Sequence, residues 1–239
     1  MAIDIKRSGL TDNGELFPKI RAEESFKNKV YTALKEAIIR MDVYSDPDPV
    51  MLDERELSER LGVSRTPIRE AVAMLEQDGF LRTVPRRGIL VVRKTQREIV
   101  EMVQAWAALE SMAVRLISMN PHADVGALRQ IFEEFSANHK PSEHINEYSS
   151  ANIAFHQAII RMSGSQVLAD MTENLLLHVR GIRQLMISKH DRAERSFGEH
   201  LAIITALEKR ETEEAVRLSR DHTLGLAAVV EEQGTELFQ

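Results

Sequence analysis

The stretch DERELSERLGVSRTPIREAVAMLEQDGF, from Asp53 to Phe80, admits few folds, because two short amphipathic segments meet across a single glycine with little chain between them. Asp53 followed three residues later by Glu56 has the form of a capping box, which satisfies the first free N–H groups of a helix. Leu57 and Leu61 give that helix one apolar face. Gly62 can take the left-handed conformation that ends it, and Ser64 or Thr66 then caps a second helix with Pro67 in its first turn. Ile68, Val72 and Leu75 form the buried side of this second helix until Gly79 stops it. The pattern predicts a helix-turn-helix. Arg65 and Arg69 lie one turn apart near the start of its second helix, where such motifs present side chains to base edges and phosphates.

The flanks complete a small domain. Downstream, LRTVP and ILVV predict two short strands around the tight turn Pro85-Arg86-Arg87-Gly88, the hairpin of a winged helix. Arg86 and Arg87 would stand at the wing tip beside a residue without a side chain, a chemistry suited to a narrow, electronegative minor groove. Upstream, Phe26, Val30, Leu34 and Ile38 recur every four residues and predict a first helix packed behind the other two. Between them MDVYSDPDPVM is acidic and proline-containing, and sets no path into Asp53.

Arg55-Glu56-Leu57-Ser58, the run Gly62 to Ala71, Leu75-Glu76, Gly79 and Gly88 together resemble the GntR-type bacterial transcription regulators, in the FadR branch with an all-helical FCD effector domain. The resemblance implies that Arg55, Arg65, Thr66, Arg69 and Gly88 contact DNA, and Ser64, Arg86 and Arg87 join them as candidates from the motif itself.

Charge distribution agrees with this division. The net charge of −6 is unusual for a DNA binder, but positions 21–94 hold 14 basic and 13 acidic residues while positions 95–239 hold 14 and 21. From Arg65 to Lys94 there are seven basic and three acidic residues, a local basic face. The expected organisation is a flexible arm over residues 1–20, a winged helix-turn-helix domain over 21–94, and an all-helical domain over 95–239. Absence of cysteine removes disulfides and thiolate metal sites. No signal sequence or membrane-length apolar run is visible, so a soluble, cytoplasmic protein is expected.

The fold class expected is therefore mainly α, with one small β-hairpin wing followed by an antiparallel bundle of about six helices. Thr95 with Glu98 forms a second capping box, opening a helix through Ile99, Val103, Trp106, Ala113 and Leu116. Further helices are expected over roughly 123–138, 144–163, 166–188, 191–209 and 212–232, separated by polar or proline-containing breaks.

All eight histidines follow residue 120, and three lie on apolar faces: His156 with Tyr148, Asn152, Phe155 and Ile159; His200 with Phe197, Ile204 and Leu207; His222 with Ala215, Leu218 and Val229. One inward histidine is most simply a core residue, whereas three converging from different helices suit one divalent metal ion, zinc or nickel. The resemblance matches Asn152, His156, His200 and His222 to the positions where metal-binding FCD domains hold an aspartate and three histidines. Asn152 replaces the acid, so four neutral ligands would leave the full charge of the ion uncompensated and favour an anionic effector.

Many FCD domains carry an arginine where this chain has Trp106, which either packs in the core or lines an effector cavity for a flat or aromatic acid. Arg180 and Arg183 are the candidates to bind an effector's acid group instead. These features imply a homodimeric, ligand-responsive repressor bound to a double-stranded operator with two-fold related half-sites. A metal-dependent hydrolase using the histidines, and a DNA-binding regulator without a small-molecule effector, are the alternatives.

Overall fold

The computed structural model describes residues 25–41, 43–44, 48–135, 139–187 and 192–237. The arm expected over residues 1–20 lies outside the described residues. In the N-terminal half, α1 (Phe26–Arg40), α2 (Glu54–Leu61) and α3 (Arg65–Gln77) pack against a three-stranded antiparallel sheet of β1 (Met51–Leu52), β2 (Leu81–Val84) and β3 (Gly88–Val91) in the order β1-β3-β2. The expected hairpin is present, with Leu81 opposite Val91 and Val84 opposite Gly88. The sequence did not foresee β1, which pairs Met51 with Leu90 and Leu52 with Ile89 and so fixes the path into α2.

The turn chemistry follows the sequence closely, with two corrections. Asp53 caps α2 by accepting from the N–H groups of Arg55 and Glu56, but only this half of the expected box forms, because Glu56 turns to Arg60 instead. Gly62 is left-handed as expected, and Ser64 occupies the N-cap of α3 without a side-chain hydrogen bond. Val30, Leu34, Ile38, Ile68, Val72 and Leu75 form the core with Phe80 and Ile89. Phe26, expected on the same buried face, is 68% exposed in the first turn of α1, and Leu61 is also exposed.

The C-terminal half consists of α4 (Gln96–Met119), α5 (Gly126–Gln130), α6 (Ile145–Met162), α7 (Gln166–Ile187), α8 (Arg192–Glu208) and α9 (Thr212–Leu237). The capping box of Thr95 and Glu98 is complete at the start of α4. The helix expected over 123–138 is corrected to the five residues of α5, followed by i→i+3 turns at Phe132, Glu133 and Phe135. A three-residue period brings Phe132 and Phe135 to the same side, and both are buried in the bundle core. The long helices α4 and α9 pack along one another, and Ile99, Val103, Trp106, Val179, Ile182 and Val230 form a second core cluster. Among the described residues no helix is long and apolar enough to cross a membrane.

The two halves touch through α7. His178 stacks on Phe80 with ring centroids 3.9 Å apart, and its Nε2 lies 2.9 Å from the carbonyl of Asp78, the C-cap of α3. Lys35 of α1 reaches Glu173 and Asn174 on the same helix.

Candidate functional sites on helix α3 and in the histidine cluster

Arg65, Thr66 and Arg69 stand exposed in the first turns of α3, while Ile68, Ala71, Val72 and Leu75 hold the opposite face in the core. Arg55 and Ser64 are exposed beside them in sequence. Glu54, which sequence reasoning missed, organises this face: its carboxylate accepts from Arg69 Nε at 2.8 Å and lies 4.0 Å from Arg65 Nε. Binding at Nε leaves the terminal nitrogens of Arg69 as a fork, the geometry that reads guanine. The available signal was local, an acid in the first turn of α2 three residues from Leu57, but nothing in the spacing alone distinguishes it from an ordinary dipole-favouring residue.

At the wing, Arg86 and Arg87 are exposed, and Arg86 holds φ of 64° in a turn closed by Arg87 N–H to the Val84 carbonyl. That conformation is uncommon for a side-chain-bearing residue and is normally filled by glycine or asparagine. Gly88 has a packing reason beyond an open wing tip: at φ 111° a Cβ there would stand 2.8 Å from the carbonyl oxygen of Leu52 in β1. Any side chain at position 88 would therefore separate β1 from β3.

In the bundle, His156 from α6, His200 from α8 and His222 from α9 converge, buried, with one ligand atom from each within 4.8 Å of the others. The Nε2 atoms of His156 and His200 face each other at 3.4 Å. Two nitrogens bound at zinc distances of about 2.0–2.1 Å with tetrahedral angles are separated by roughly 3.3–3.4 Å, so this spacing fits a shared ion. The opposite ring nitrogens are each held by another group. Glu110 Oε2 lies 2.6 Å from His156 Nδ1, Tyr148 OH lies 3.2 Å from His200 Nδ1, and Glu199 Oε2 lies 2.7 Å from His222 Nδ1. Outer groups on one ring nitrogen fix the tautomer and aim the other, the arrangement that supports metal-ligating histidines. Asn152 is buried one turn before His156 on α6.

This outer layer corrects the expected charge balance. Glu110 is fully buried and also accepts from Trp106 Nε1 at 2.9 Å, with Ser219 and Thr223 hydroxyls at its other oxygen. Burial alone would raise the Glu199 carboxyl, but the hydrogen bond and charge of His222, with Arg192 and Arg195 beside it, hold it below its ordinary range. Two carboxylates thus stand one atom beyond the imidazoles, and the charge of an ion here would not go uncompensated. Glu110 had a signal in the sequence: it interrupts the apolar stripe Val103, Trp106, Ala113, Ile117 of α4, and an acid in such a stripe needs an internal partner.

Trp106 is fully buried in the second core cluster and meets His156 edge to face at 4.8 Å, so it both packs the core and borders the histidines. Arg180 and Arg183 lie on α7, but their side chains are outside the described residues.

Comparison with known proteins places these features among relatives. Residues 26–91 match the profile of bacterial regulatory proteins of the gntR family, and residues 101–225 match the FCD domain. The uncharacterised HTH-type transcriptional regulator YdhC of Bacillus subtilis strain 168 is 30% identical over 69% of this chain and 74% of its own length. The HTH-type transcriptional repressor RspR of Escherichia coli K12 is 27% identical over 72% and 75%. The E. coli McbR/YncC structure superimposes with a TM-score of 0.69 at 22% identity, covering 88% of this chain and 99% of that one, a likeness of fold.

Proposed function

Because the chain belongs to the GntR family of bacterial regulatory proteins and carries the FCD effector-binding domain, we propose that it is a homodimeric repressor released from its operator by a small carboxylate or aromatic acid. Its relatives are transcription regulators and not enzymes. In this reading residues 21–94 bind DNA and residues 95–239 bind the effector and self-associate. Arg65, Thr66 and Arg69 read base edges in the major groove, Arg55 and Ser64 meet phosphates, and Arg86, Arg87 and Gly88 approach the minor groove. Two-fold related half-sites follow from a two-fold dimer.

His156, His200 and His222, with Asn152 as a fourth partner, would hold one zinc or nickel ion. A bound ion would supply a positive centre able to orient an acid. Glu110, Tyr148 and Glu199 fix the three rings, and Trp106 shields the His156 side from water. The observation that carries the metal reading is this set of outer partners, one on the Nδ1 of each histidine. The repressor reading draws support from RspR, which is named as one.

The test uses full-length protein prepared without an affinity tag or added metal. Elemental analysis should find about one divalent ion per chain, and a metabolite panel applied to a gel shift on selected DNA should release the operator. A protein that takes up neither zinc nor nickel on titration overturns the metal. Operator binding indifferent to every acid in the panel overturns ligand release.

A further inference from the structure

The turn of the wing carries an arginine where its geometry favours glycine. Arg87 N–H bonds back to the Val84 carbonyl at 3.0 Å, so Pro85 and Arg86 are the two central residues of a four-residue turn. Proline suits the first of these places because its ring fixes φ. With φ at 64°, Arg86 makes the turn type II, whose second central place belongs to glycine or asparagine. A longer side chain is strained there, since its Cβ crowds the backbone in the left-handed region.

Arg210 is the other non-glycine residue with positive φ among the described residues, and it supplies a control. Its guanidinium donates to the carbonyls of Ile117, Ser118 and Asn120 at the end of α4, so the strain at 210 is offset by acceptors that the helix leaves open. Arg86 has no such return: its side chain is exposed and makes no hydrogen bond or ion pair among the described residues. The turn nevertheless has a firm base, because the close approach of Gly88 to the Leu52 carbonyl keeps β3 against β1. A strained residue held in place by its surroundings, yet unused by them, points to a role outside the fold.

We propose that Arg86 is a specificity-determining residue that exchanges wing stability for recognition of minor-groove width beside each half-site. The inference rests on the reading of residues 21–94 as the DNA-binding half with its wing at the minor groove. Narrow A/T-rich grooves concentrate negative potential and draw in arginine, so base pairs that no side chain touches would still be discriminated. Pro85 is uncharged and Arg87 leads back into β3, which leaves Arg86 as the cation at the corner. Arg87 then meets the phosphates at the rim of the groove and favours no sequence.

Fluorescence anisotropy on the full-length wild type, Arg86→Gly and Arg87→Ala tests the division. The duplexes share one operator core selected from random DNA and carry either AATT or GGCC on both sides of each half-site. The wild type should prefer the AATT duplex by about tenfold, and Arg86→Gly should bind it more weakly and keep a preference of about twofold or less. Arg87→Ala should weaken binding to both duplexes alike. Relief of the left-handed strain outweighs the extra freedom that glycine gives the unfolded chain, so amide protection factors along β2 and β3 should rise about threefold in Arg86→Gly. A wild type that binds both duplexes equally overturns the assignment, as does a preference that survives in Arg86→Gly. Protection that falls in Arg86→Gly overturns the exchange of stability for recognition. A wild type that binds neither duplex overturns instead the DNA-binding reading beneath it.

Discussion

The exposed face of α3 and the buried histidine cluster differ in how their parts are brought together. The candidate DNA contacts from Arg55 to Arg69 come from one short stretch of chain and stand in solvent on two packed helices, α2 and α3. The histidines and their partners Glu110 and Tyr148 come from α4, α6, α8 and α9 and are buried together, with Glu199 of α8 partly exposed at their edge. A site of the first kind can be changed with little effect on the fold, because its side chains stand in solvent and their ionic contact to Glu54 is a surface pair. In the second kind, ligand chemistry and stability share the same atoms.

The largest expected effect lies at the exposed site. Arg65→Ala combined with Arg69→Ala should lower specific operator affinity by roughly a hundredfold or more, since base-edge contacts contribute about 1–3 kcal/mol each. The melting temperature should stay within about 2 °C of wild type. Fluorescence anisotropy on operator and random DNA, paired with calorimetry, would measure both. Unchanged operator affinity, or a large loss of stability, would break the contrast.

Glu110→Ala should do the opposite. It leaves His156 Nδ1 and Trp106 Nε1 without their buried acceptor, at a cost of about 3–5 kcal/mol, which is roughly a 10 °C fall in melting temperature. Zinc affinity should drop about 10–100-fold. A variant as stable as wild type, with unaltered zinc binding in competition with a chelator, would mean that Glu110 does not hold the centre together.

The smallest effect belongs to the contact between the two regions. Burial first, and then the nearby charges of Lys94 and Lys35, lower the pKa of docked His178 below its ordinary 6.5 despite the opposing carbonyl of Asp78 and carboxylate charge. Docking thus favours the neutral ring: its contribution is complete above about pH 6.5 and is lost as pH falls through the depressed value. Glu98 and Glu173 also face this junction. The amide protection factor at Phe80 should fall at about pH 5.5 in the wild type but much less in His178→Phe, which keeps a ring on Phe80 and removes the titration. An equal loss of protection in both would assign the effect to carboxylates elsewhere.

These contrasts also explain what could be read from the chain. Gly62, Pro67 and the Thr95 box act on residues within a turn of themselves, so their structural meaning is contained in their spacing. The stretch after α5 misled because Leu128, Phe132 and Phe135 recur at intervals that serve a helix or a run of tight turns equally well. Insertion of both phenylalanines into the core chose the turns. The three histidines were legible as residue types on apolar faces, and Glu110 as an acid in an apolar stripe, yet their pairing was not, because Glu110 and His156 are 46 residues apart and nothing local joins them. β1 escaped for a similar reason: two residues have no periodicity, and Met51–Leu52 becomes a strand only where β3 offers it an edge.

Helix α4 runs without a break from the closed cap at Thr95, four residues after the last strand of the wing, to Glu110 and beyond. It is a stiff beam with one end at the DNA-binding half and its middle at the histidines. Its length between Thr95 and Glu110 is about 22 Å at 1.5 Å per residue. A sideways displacement of about 1 Å at Glu110 is then equivalent to a tilt of roughly 3° about the cap. Carried across the spacing of about 34 Å between neighbouring major grooves on one face of DNA, that tilt amounts to about 1.5 Å, more than a base-edge hydrogen bond tolerates.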